Sequence, residues 1–75
     1  MYHIVICERS TGIVLELDFK TRFNSTENKK EYPRINFESI DIAELKALEI
    51  INYYNHLEVS IYSNDKEFIK RVVYE

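Results

Sequence analysis

A chain of 75 residues and 9.0 kDa has room for one domain, and a domain that small buries only about 60% of its unfolded surface, which leaves a thin stability margin. With 45% hydrophobic and 13% aromatic residues, one Gly and one Pro, it is too rich in core-forming side chains for a disordered tail and too poor in Gly and Pro for a collagen-like or linker-like chain. A formal net charge of −3 argues against a dedicated DNA or RNA binder, whose affinity comes largely from neutralising phosphates.

The single cysteine, Cys7, cannot close an internal disulfide, so nothing calls for an oxidising compartment. The start carries no basic segment and only a short apolar run over 4–7, unlike a signal peptide. No stretch approaches the roughly 20 apolar residues that span a bilayer. A cytoplasmic protein without membrane attachment is expected.

The first strand is expected over 2–8, where Ile4 and Ile6 point one way and Val5 and Cys7 the other; apolar groups on both faces suit a central strand. Ser10, Thr11 and Gly12 form a three-residue hairpin loop, because glycine at its third position takes the left-handed conformation that closes such a turn. The returning strand, 13–20, sets Ile13, Leu15, Leu17 and Phe19 on one face and Glu16, Asp18 and Lys20 on the other. Residues 21–33 read as a mobile polar loop, anchored at its start by Phe23. After Pro33, alternation of Ile35 and Phe37 with Arg34, Asn36 and Glu38 predicts a short strand, at an edge because proline cannot donate to a ladder.

A helix is expected over about 41–55, capped by Asp41 with Glu44 three residues on. At 100° per residue, Ala43, Ala47, Ile50, Ile51 and Tyr54 fall within an arc of roughly 100°, the width of a core-facing stripe. The next strand is 57–62, with Leu57, Val59 and Ile61 inward and Glu58, Ser60 and Tyr62 outward. The C-terminal segment, about 65–75, fits two patterns. Phe68, Ile69, Val72 and Val73 suit a helix face, while the β-branched pair and Tyr74 suit a hairpin strand. The sum is a single α+β domain: an antiparallel sheet led by a β-hairpin, with one or two further strands, packed by one main helix.

Ile42, Leu45, Leu48 and Tyr53 lie on the helix side that a monomer would keep polar. At about 25 cal/mol per Å², hiding four such side chains contributes on the order of 10 kcal/mol before entropy costs. Either a second helix or the Phe23 loop covers them, or they form a surface for self-association or a partner.

Chemistry has little to stand on. His3 and Cys7 share a strand face but sit about 13 Å apart at ~3.3 Å per residue, too far for one metal ion, and His3 reads as a half-exposed strand residue. Cys7 has core neighbours rather than the open, electropositive setting of a nucleophile. Glu16 and Asp18, side by side on a wet strand face, lack the pocket that would separate their pKa values. One glycine excludes a phosphate-cradling loop. Asn24-Ser25-Thr26 matches a glycosylation acceptor, which has no use without secretion. No catalytic residue, metal or cofactor is assigned.

Two binding readings remain. In the first, a non-catalytic module docks on a protein through the helix, with Leu45, Leu48 and Tyr53 as anchors, Glu44 and Glu49 steering toward a basic partner, and Tyr62 as a further contact; a homodimer through the same face is compatible with it. The bias toward Ile, Asn, Lys, Tyr and Phe is what AT-rich coding produces, and by analogy with small acidic chains of phages and mobile elements the partner would be a host defence or replication protein inhibited by occupancy. In the alternative, the basic stretch Lys20, Arg22, Lys29, Lys30 and Arg34 grips nucleic-acid phosphates, with Phe23 or Tyr32 stacking on a base.

Overall fold

Apolar side chains on both faces place the first strand, Tyr2–Glu8 (β1), inside the sheet, and His3 through Cys7 are all buried. The computed structural model describes residues 1–23 and 33–75. Among these residues four strands and one helix follow in the order β1, Ile35–Phe37 (β2), Ile40–Tyr53 (α1), Leu57–Ser63 (β3) and Phe68–Val73 (β4). The sheet is antiparallel throughout with strand order β2-β1-β3-β4. This is the small α+β domain that the sequence pattern predicts, and β2, after Pro33, takes the expected edge.

The hairpin turn after β1 forms as expected around Gly12, whose φ of 76° needs the missing Cβ. The Glu8 amide donates to the Ile13 carbonyl at 2.9 Å and the Leu15 amide to the Ile6 carbonyl at 2.8 Å. The returning strand expected over 13–20 is cut short, leaving only the bridges Cys7↔Val14 and Leu15↔Arg22. Asp18 is the cause. Its Oδ1 accepts the amides of Lys20 and Thr21, each at 2.9 Å, and its Oδ2 accepts the Thr21 hydroxyl at 2.6 Å, so a second turn outcompetes the ladder. Phe19 takes a φ of 66° there. Leu17 is left exposed, while Phe19 leaves the strand alternation to meet Tyr54 edge-on at 5.4 Å, packed against the core. One edge of β1 is therefore shared: β2 pairs with Tyr2 to Ile4 and the short 13–15 return with the Cys7 end.

Helix α1 starts two residues earlier than a cap at Asp41 would set. Ser39 is the N-cap, in extended backbone, and its hydroxyl accepts the Ile42 amide at 3.3 Å; Asp41 instead lies in the first turn, where a carboxylate complements the helix dipole. At the far end the Asn55 side chain donates to the Ile51 carbonyl at 3.0 Å and to Asn52 at 3.3 Å, satisfying carbonyls that the helix leaves orphaned. The core arc holds: Ala43, Ala47, Ile50 and Ile51 are buried and Tyr54 packs partly against them. They meet Ile4, Ile6, Leu15, Leu57, Val59, Ile61 and Val72.

The open question at the C-terminus resolves as strand. Ser63 Oγ accepts the amides of Asp65 at 3.2 Å and Glu67 at 3.3 Å, and Lys66 turns the chain at a φ of 65°. That turn brings Val72 opposite Val59 on the helix side, which completes the cover of β3. A one-residue shift between Ile61 and Tyr62 marks a bulge at the start of β4.

Candidate functional site

The side of α1 away from the sheet keeps its apolar surplus. Leu45 is 68% exposed, Leu48 47%, Ile42 50% and Tyr53 78%. Ile42, Leu45 and Leu48 are three residues apart, so they form one inclined ridge across the helix. No described element covers them, because the segment that could have packed beside α1 as a second helix joins the sheet as β4. The ridge ends in an open groove of about 340 Å³ between α1 and β4, lined by apolar Leu48 and Val72 and by charged Glu44, Lys70, Arg71 and Glu75.

The two acidic residues of the expected docking face are not free charges. Lys70 Nζ donates to Glu44 Oε2 at 2.6 Å across to β4, and Lys46 Nζ donates to Glu49 Oε1 at 2.9 Å along the helix. Each carboxylate is answered locally, which removes most of its long-range field. Tyr53 lies 4.9 Å from Tyr54, ring to ring. Tyr62 is not brought to this surface. It lies on the opposite sheet face, stacked on His3 at 5.3 Å and edge-on to Phe68 at 5.8 Å, with the Arg71 guanidinium 5.9 Å from the Phe68 ring. Exposed Phe68 and Ile69 belong to no face that the sequence could assign, since their period fits helix and strand alike.

The cations of the nucleic-acid alternative are not gathered into one open patch among the described residues. Arg22 is held by Glu8 through Nε at 3.1 Å and Nη2 at 3.2 Å. The Thr11 hydroxyl donates to the same carboxylate at 2.7 Å, and this bond first, with Arg22 second, holds the Glu8 carboxyl below its ordinary value. Lys20 is exposed and Arg34 half-buried. Lys29, Lys30 and most of the polar loop expected over 21–33 lie outside the described residues.

Of the groups weighed for chemistry, His3 and Cys7 are buried and Asp18 is committed to a turn. His3, expected half-exposed, is buried under the Tyr62 stack. Burial, reinforced by Glu58 and opposed by Arg71, pushes the Cys7 thiol up, away from the reactive thiolate. Glu16 and Asp18 do not share a strand face, because Asp18 is committed to its turn; the bonds from the Thr21 hydroxyl and the Thr21 and Lys20 amides lower its carboxyl to about 2. Among the described residues no three His, Cys, Asp or Glu side chains converge to hold a metal ion, and no helix is long and apolar enough to cross a membrane.

Fold and surface together define a class: a small α+β domain with one helix on one face of a four-stranded antiparallel sheet and an apolar ridge turned outward. Comparison with protein-family models, with curated proteins and with solved structures gives no match.

Proposed function

We propose that this chain is a non-catalytic protein-binding module acting by stoichiometric docking through the outer face of α1. The observation that carries this reading is the exposure of Leu45, Leu48 and Tyr53 on a helix whose opposite arc is already satisfied by the core. A few buried anchors, tyrosine prominent among them, carry most of the energy in protein interfaces; Tyr53 is of that type, and Leu45 and Leu48 add apolar area beside it. Because Glu44 and Glu49 are paired in place, apolar fit rather than charge steering sets the choice of partner. In the narrower reading, supported by composition alone, the partner is a host defence or replication protein blocked by occupancy.

The test is site-specific photocrosslinking in cells that express the protein, with p-benzoylphenylalanine placed at position 45 and, as control, at position 16. Position 45 is expected to give discrete protein adducts that Leu48→Asp abolishes, and position 16 none. Identical adducts at both positions, or none at 45, would remove the docking face.

A further inference from the structure

We infer that the partner of the Leu45–Leu48 side of this face is a second copy of the chain, paired edge to edge through β4 about a two-fold axis. This rests on the docking reading above and names its occupant.

The first argument is the edge itself. Strand β4 is hydrogen-bonded to β3 and, among the described residues, has no partner on its outer side. Such edges are commonly blunted by charged side chains, lysine above all, whose burial a second strand would have to offset. Here both guards are neutralised from within the subunit: Lys70 by Glu44 at 2.6 Å and Arg71 by Glu58 at 3.4 Å. A second edge can approach without stranding a lone charge.

The second argument is the surface beside the edge. The α1–β4 groove and Leu48 lie directly next to it, and Leu45 one ridge position further out. Helix α1 packs chiefly on β3 and next on β4. Antiparallel pairing of two β4 strands, with strands ~4.8 Å apart, therefore sets the two helices side by side on one face at roughly 14 Å. Leu48 of each copy faces into that gap, and Leu45, which points nearly opposite the core arc, borders it from above.

Area and charge agree with this geometry. Leu48, Ile69 and Tyr74 leave on the order of 250 Å² exposed per subunit, about a third of the ~800 Å² per partner of a standard interface. The backbone edge and the methylene stems of Lys70 and Arg71 supply more. An axis near Val72 runs the strands oppositely, so Glu75 of one copy comes beside Ile69 and Lys70 of the other. Opposite charges thus meet at both ends of the seam. Ile42 and Tyr53 lie on the far flank of the helix, outside the seam.

The experiment is sedimentation equilibrium of the full chain from micromolar to millimolar, with amide hydrogen exchange read at both ends of that range. Wild type is expected to double in mass, with alternate β4 amides slowed only at high concentration. Ile69→Asp, which sets a like charge opposite Glu75 of the other copy, and Leu48→Glu, both at exposed positions and checked for folding by circular dichroism, should each raise the dimer Kd at least about tenfold; Tyr53→Ala should leave it unchanged. A wild-type monomer at millimolar concentration, or a dimer whose β4 amides exchange equally at both concentrations, overturns the two-fold pairing alone. A dimer that survives Leu48→Glu likewise overturns the pairing, whereas the docking face falls if the position-45 adducts survive Leu48→Asp.

Discussion

Replacing Leu45 and Ile51 separately by alanine puts the central claim about α1 to a quantitative test, because the two lie on one helix and differ mainly in which way they point. Ile51 is 2% exposed in the core cluster. Truncating it loses transfer energy and leaves a cavity, about 2–5 kcal/mol, against a total stability of roughly 4–11 kcal/mol for a chain of this length. Leu45 keeps two-thirds of its surface in water. Only about a third of the ~1.5–3 kcal/mol of full burial is at stake, and alanine's better helix propensity returns ~0.2 kcal/mol. The expected loss is below ~1 kcal/mol. In urea, with a slope of about 1 kcal/mol/M for so small a chain, Ile51→Ala should lower the midpoint by ~2 M or leave the chain unfolded, and Leu45→Ala by under ~1 M. Circular dichroism at micromolar concentration reads both. Comparable losses would mean that Leu45 is covered within the lone subunit, and the docking face would go. A Leu45→Ala deficit that appears only as protein concentration rises is the mass-action signature of association.

Four further outcomes follow from local chemistry. Ser39→Ala should cost about 1 kcal/mol by unmaking the helix cap, with Ser39→Asp close to wild type in the same urea titration. Gly12→Ala should cost on the order of 1 kcal/mol from its positive φ, despite the open space around that carbon, and Gly12→Asn less. Cys7 should react with a chromogenic disulfide reagent only as fast as the chain opens, since the thiol is buried and its pKa raised; fast native-state labelling would contradict that burial. Asp18 has a folded pKa near 2, below its ordinary 3.8, so the stability it lends is complete above about pH 4 and fades as pH falls toward 2. Asp18→Asn should flatten the fall in urea midpoint across that window, and an unchanged slope would show that Asp18 does not contribute to it.

Much of this architecture is legible in the residues because periodicity and turn chemistry agree. Strand β1 reads as central since apolar groups occupy both its faces, and the core arc of α1 follows from its 100° spacing. Sequence reasoning fails where a local hydrogen-bonding option competes with a pattern. The alternation over 13–20 is real, yet Asp18 offers the backbone a tighter turn, and Phe19 enters the core by a route that strand periodicity does not describe. The cap shifts for a similar reason: Ser39 and Asp41 are both good caps, and the one that lets Ile40 begin the packed turn wins. At the surface, type and exposure of Leu45, Leu48 and Tyr53 are foreseeable, but the pairing of Glu44 with Lys70 depends on β4, 26 residues away. Tyr62 turns its ring toward His3 for the same reason, since only the β1–β3 register brings the two together.

The two unusual surfaces of the domain have one cause. Had residues 65–75 coiled, Phe68, Ile69, Val72 and Val73 would have formed the apolar face of a second helix, able to lie beside α1 and cover Leu48. Ser63 and Lys66 instead turn the chain back, and the β-branched Val72 and Val73 extend the sheet. That choice buries Val72 under the helix and gives β3 its second neighbour. Among the described residues it also leaves the ridge bare and the outer edge of β4 beside it unpaired. A surface made of an apolar ridge and a strand edge side by side is two-sided: neither a free helix nor a free strand can fill both halves, whereas another molecule with the same ridge and edge can. This geometric match sets a second copy of the chain ahead of other occupants of the groove.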